Sequence, residues 1–374
     1  MNSKKKRALN MELLRILAML FIIMHHLIIN DIGFAGEMQG NSVLLYDIGM
    51  VLESFFIIGV NVFFLISGFF QIKNYSFGKI VSVIMTLYIY MLLIQGLGLL
   101  TGYNELNKAL IIRLFTTINE YWFIKIYIIV MLFSPILNML VKQLTEKMAS
   151  YFFVMYILIF CGVFFVYNDS QVGVNSGYSL LSACSLYIIG ASISSGKITL
   201  FKERKLRTLW LVYFCSLILN AIIGLISINI LHEKMDRLLA YNCPLIVISS
   251  VALLVIFAKF DIPQNSKYGK IILFFSTNTL AVYIIHSSNK VIPYYRNILM
   301  GYVLEKSMIG AYIFVLPYAI VIFIVCVLID KVFQRVLGKT IENLSQIIGV
   351  GIRKSFSRFL YIEKIVCEHK AIRK

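Results

Sequence analysis

The 374-residue sequence is 60% hydrophobic and only 14% charged, with a formal net charge of +17. A soluble globular domain carries roughly a quarter charged residues, so a chain built around one water-soluble core is excluded. The positive charge forms no separate basic face and no recognised nucleic-acid-reading motif; it collects between apolar runs and in the C-terminal tail, as expected beside anionic lipid, which excludes nucleic acid as the partner.

In chain order, Lys4-Lys5-Lys6-Arg7 precedes an apolar run over 8–31. That run is too long for a secretory leader and no small-residue cleavage site follows it, so it reads as a retained first span. Further spans are predicted at 48–71, 80–101, 121–141, 149–167, 177–196, 208–231, 243–259, 271–290 and 308–330. A hydrocarbon layer about 30 Å thick needs about 20 apolar residues per helix, and these runs supply them. The expected fold is an all-α membrane protein of about ten transmembrane helices, multi-pass in the cell membrane. Between the spans, residues 104–118 place Leu106, Leu110, Leu114 and Ile118 at helical spacing, as in a helix lying on the membrane surface.

Lys and Arg set the orientation. With the N-terminus inside, 26 of the 35 fall in inner segments and seven in outer ones; Arg15 and Lys125 lie within spans. The distribution predicts N-in, C-in. Residues 1–334 read as the polytopic membrane domain and 335–374 as a basic, amphipathic cytoplasmic tail. The six cysteines form no Cys-x-x-Cys pair and lie mostly in or beside apolar runs, which predicts small buried hydrophobes and no metal site.

Ionisable residues inside an apolar span cost about 2.5–3.5 kcal/mol each at its centre, so each is first a functional candidate. The first span holds Glu12, Arg15, His25 and His26. At about 100° per residue, the eleven steps from Arg15 to His26 return to within about 20° of the same face, whereas His25 falls about 80° away. Glu12, Arg15, His26 and Asn30 therefore form one polar stripe, with His26 roughly 16 Å along the axis from Arg15. The plainer reading is an Arg15 that snorkels to the headgroups and a histidine pair resting in the interface.

The stretch Met11-Glu12-Leu13-Leu14-Arg15-Ile16-Leu17-Ala18 through His26 resembles the first helix of the acyltransferase-3 family, whose hallmark is an Arg, ten residues, then a His. Gly59-Val60-Asn61-Val62-Phe63-Phe64-Leu65-Ile66-Ser67-Gly68-Phe69 is similar to the family's second-helix segment ending in Ser-Gly. Tyr121-Trp122-Phe123-Ile124 with Ser134-Pro135-Ile136-Leu137-Asn138 is similar to its aromatic-led fourth helix. Leu186-Tyr187-Ile188-Ile189-Gly190 and Ala281-Val282-Tyr283-Ile284-Ile285-His286 fit later helices. Asn61 stands where many members have an acidic residue, and Lys73 and Lys79 stand where many carry paired arginines. The chain lacks the C-terminal esterase-like domain of members that modify peptidoglycan or lipopolysaccharide, so it is similar to the stand-alone members.

The resemblance implies transfer of an acyl group, usually acetyl, from cytoplasmic acyl-CoA to a hydroxyl of an envelope polysaccharide or lipid-linked sugar. Arg15, with Lys79, then becomes the candidate holder of the donor's phosphates. His26 becomes the candidate base for the acceptor hydroxyl, or for an acceptor within the protein. Glu12 is expected to pair with Arg15. Glu53, in the second span, and His286, in the ninth, are expected to support His26. Tyr121 and Trp122 read first as an interfacial aromatic anchor. The competing function is export of an envelope polysaccharide or its lipid-linked unit, which fits the spans but gives no reason for an Arg and a His on one face. A non-catalytic scaffold in a polysaccharide-synthesis complex is a third reading.

Overall fold

A computed structural model describes residues 8–31, 43–71, 76–102, 105–167, 173–201, 203–232, 236–263, 266–305 and 308–356. Asn30, whose side chain lies outside the described ones, and residues 357–374 of the tail are thereby left aside. The helices in order are α1 (Leu9–His26), α2 (Val43–Phe56), α3 (Gly59–Phe70), α4 (Phe77–Leu100), α5 (Lys108–Thr116), α6 (Trp122–Gln143), α7 (Glu146–Met155), α8 (Phe164–Tyr167), α9 (Leu180–Ser194), α10 (Leu206–Asn229), α11 (Pro244–Ala258), α12 (Lys267–Ser276), α13 (Thr279–His286), α14 (Ile292–Glu305) and α15 (Met308–Phe356). No strand occurs among the described residues. Side chains start several helices: Asn107, Thr145, Ser179 and Ser266 each accept a backbone N–H three residues on, satisfying donors that a helix start leaves open.

Among the described residues, eight helical stretches are long and apolar enough to cross a membrane, or nine when α12 and α13, bent by 43°, count as one broken span. The chain is a multi-pass membrane protein. About ten spans were expected, and the difference lies in two places. The stretch predicted at 177–196 forms only the 15-residue α9, about 22 Å long at 1.5 Å per residue and short of a 30 Å hydrocarbon layer. The stretch predicted at 271–290 breaks at Ser276-Thr277-Asn278-Thr279, where the side chains of the last three bond back to nearby carbonyls instead of continuing the apolar run. The last span departs from expectation in the opposite sense. Helix α15 runs unbroken through 334 and 335 as far as Phe356, so the boundary drawn between membrane domain and tail is not a helix end.

The core is built around α1. Met11, Leu14, Ala18, Met19, Ile22 and Ile23 are all buried and lie on several faces, the signature of a helix enclosed by others. It packs against α2, α3, α11, α12, α13 and α15. Beside it, α3 and α9 cross at van der Waals contact. A Cβ on Gly68 would sit 1.9 Å from the Tyr187 carbonyl oxygen, and one on Gly190 would sit 2.1 Å from that of Leu65. In lipid, where burial of apolar surface adds little between helices, such backbone approach is what holds a pair together. Elsewhere, Tyr90 donates to Asp330 Oδ1 at 2.6 Å, supplying the partner that a buried carboxylate needs.

Candidate active site

Helix α1 presents its polar residues at two levels. At its first turns Glu12 is buried, and Arg15 Nη1 donates to Glu12 Oε2 at 2.6 Å. The expected pairing of the two therefore forms. The pair fixes the guanidinium at one wall of a cavity of about 320 Å³. Ser67 from α3, Tyr127 from α6 and Thr277 from the break between α12 and α13 add polar groups, while Met19, Phe123 and Tyr283 add apolar wall. The Ser276 hydroxyl, also in the lining, is buried with no hydrogen-bond partner among the described residues. The broken span thus brings hydroxyls and backbone polar groups to membrane depth, which lipid tolerates only where they line an enclosed space. Lys79 is exposed on the first turn of α4 and lies outside this lining.

Further along α1, His25 and His26 close the α-helix, and Leu27–Asp31 continues as a π-helix. The uniform 100° register therefore ends at His26. Single π turns inside helices recur where a helix must present functional side chains. The His26 ring stacks at a tilt against His286, 5.2 Å between centroids, and lies 5.5 Å from His25. The Val282 carbonyl accepts from His286 Nδ1 at 2.6 Å. Since a carbonyl can only accept, that nitrogen carries the proton, and in the neutral ring Nε2 is left as an acceptor, near Ser287 Oγ.

Glu53 stands differently from expectation. Its Oε1 bonds to His25 Nδ1 and it makes no such bond to His26. Residue 25 faces α2 because it sits about 80° around α1 from the Arg15–His26 line, where α2 packs. A buried carboxylate and an imidazole thus form a pair next to the His26–His286 stack. Among the described residues, no three His, Cys, Asp or Glu side chains converge to hold a metal ion.

His26 is absent from the lining of the cavity that takes in Arg15. Tyr283 stands between the two levels: it lines the cavity, its ring lies 5.9 Å from His286, and it packs on Phe123 at 5.2 Å. Tyr121 is buried rather than interfacial, donating to the Ile284 carbonyl at 3.0 Å and so tying α6 to α13.

The fold and site define a many-helix membrane protein with a polar cavity and a buried histidine cluster. A family model described as an acyltransferase domain matches residues 9–331, and the chain belongs to that acyltransferase-3 family. Acyl transfer is therefore its general activity. No curated protein and no solved structure matches the chain.

Proposed function

We propose that the chain transfers an acyl group, acetyl in the first instance, from cytoplasmic acyl-CoA to a hydroxyl of an envelope polysaccharide or lipid-linked sugar. The observation that carries the reading is the division of α1: a paired guanidinium at a polar cavity, and an imidazole in a histidine cluster about 16 Å further along. Arg15 holds a donor phosphate by charge-assisted hydrogen bonds, and Lys79 adds positive charge at the same side of the membrane. The acyl-bearing thioester arm extends along the cavity towards His26. Tyr283 and Phe123 have to turn aside for it, because they form the wall between the two levels.

The transfer is a balanced exchange. The acceptor oxygen attacks the thioester carbonyl carbon, and its proton passes to His26. The tetrahedral centre collapses, the C–S bond breaks, and the departing thiolate takes the proton from His26. An imidazole suits both steps because its ordinary pKa lies near neutrality. His286 abuts His26 and keeps its ring in place.

The test is acyl-CoA turnover by the purified protein in detergent, without vesicles or gradient. Wild-type protein releases free CoA, and His26→Ala lowers that rate about 10²–10⁴-fold. Absence of wild-type turnover, with glycan transport in vesicles, would favour an exporter. A scaffold predicts normal glycan decoration in cells carrying Arg15→Ala or His26→Ala.

A further inference from the structure

Beside the Glu53–His25 pair lies an aromatic cluster that neither the acyl cavity nor the His26–His286 stack uses. Trp122, at the first turn of α6, packs on Tyr178 at 4.6 Å between centroids and on Tyr241 at 5.7 Å. Tyr178 and Tyr241 lie 4.7 Å apart, and Tyr241 lies 6.3 Å from His25. The three come from separate elements: α6, the turn before α9 and the segment before α11. Asn61 of α3 holds the last, donating to the Tyr241 carbonyl at 2.8 Å. The cluster is graded in exposure, with Tyr241 4% exposed, Trp122 half-buried and Tyr178 41% exposed.

Bonded to His25 next to this cluster, Glu53 is fully buried, and its second oxygen, Oε2, has no hydrogen-bond partner among the described residues. A buried carboxylate oxygen without a donor is costly, and a ligand hydroxyl supplies the missing donor. Aromatic faces carry negative potential that attracts the C–H faces of a sugar ring. An aromatic face, an unsatisfied carboxylate oxygen and an imidazole together match a ring with one apolar face and hydroxyls at its edge.

We propose that Trp122, Tyr178 and Tyr241, with Glu53 beside them, form the subsite that seats the acceptor sugar. The ring lies on Trp122 and Tyr178, and one hydroxyl donates to Glu53 Oε2. Tyr178, the most exposed of the three, yields to admit it. This places the acceptor one ring away from His26, through His25, and it rests on the transfer reading above.

Two measurements test the subsite separately from that reading. The chain has two tryptophans, Trp122 and Trp210, so Trp210→Phe leaves Trp122 as sole fluorophore. The full-length protein is titrated, without donor, with unacylated envelope glycan extracted from cells lacking the gene. The expected result is a saturable change in Trp122 emission, with the apparent Kd raised about tenfold by Tyr178→Ala and by Glu53→Gln. No change in emission, or a Kd in the variants unchanged from that of the parent protein, overturns the subsite even if acyl-CoA is turned over. In the transfer assay, Tyr178→Ala is expected to raise the KM for glycan about tenfold relative to the KM for acyl-CoA. Equal movement of both KM values marks a general structural role and overturns the assignment. Saturable Trp122 quenching by a protein that turns over no acyl-CoA upholds the subsite and sinks the transfer reading.

Discussion

Arg15 and Glu12 illustrate how one ion pair serves both folding and binding. Glu12 is buried and its partner is partly exposed at the cavity wall, so the pair neutralises a carboxylate that lipid would otherwise penalise. It also aims the guanidinium. Arg15→Ala is expected to raise the KM for acyl-CoA about 10–100-fold, the range of a lost charged hydrogen bond. Glu12→Gln keeps the cation but loosens its aim, so its KM effect is expected to be severalfold smaller. Steady-state kinetics with saturating acceptor checks the order of the two; a larger effect from Glu12→Gln would count against Arg15 as the phosphate contact. The same pair was visible in the sequence, because residues three apart meet on a helix. The partner of Glu53 was not. Two histidines adjacent in sequence point to different helices, and only the packing of α2 against α1 gives Glu53 to His25.

At the scale of elements, α9 and the α12–α13 pair explain why hydropathy and structure differ. The small residues of α9 let its backbone reach that of α3, and that contact leaves no room for a side chain at either glycine. Gly190→Ala is expected to cost about 1–3 kcal/mol through forced separation of the two helices. Thermal unfolding in detergent would then occur several degrees lower; an unchanged midpoint would mean that the crossing is looser than described. In α12–α13, the Ser-Thr-Asn-Thr run was legible as polar residues within an apolar stretch. That it breaks the helix by 43° and faces Arg15 across a cavity follows from tertiary placement. The π-helix after His26 had no sequence signal in a reading that assumed one uniform helical period.

For the whole molecule, the number of crossings decides the sidedness of the termini. Among the described residues, eight helices long enough to cross and one broken span allow nine crossings, and α9 makes ten if it carries the chain from one face to the other. An even number places both termini together, as the Lys and Arg distribution predicts. Single cysteines at Asn175 and Thr199, on either side of α9, are therefore expected to react with impermeant thiol reagents from opposite faces of sealed vesicles. Labelling of both from one face would make α9 re-entrant and put the termini on opposite sides. The continuous α15 bears on the same question, since it carries the chain directly from its last span into the basic tail.

Composition alone determined that this chain lives in lipid, because the energy of transferring apolar and charged side chains is a local property that adds up along the sequence. Helical periodicity likewise placed Arg15 and His26 on one line, and the ordered motifs along the chain indicated the family. Which residues meet across helices was decided only by the fold. Separate α-helices carry no mutual register until their surfaces pack, so the Glu53–His25 pair, the Tyr283 wall and the Trp122–Tyr178–Tyr241 cluster arise from contacts between segments far apart in sequence.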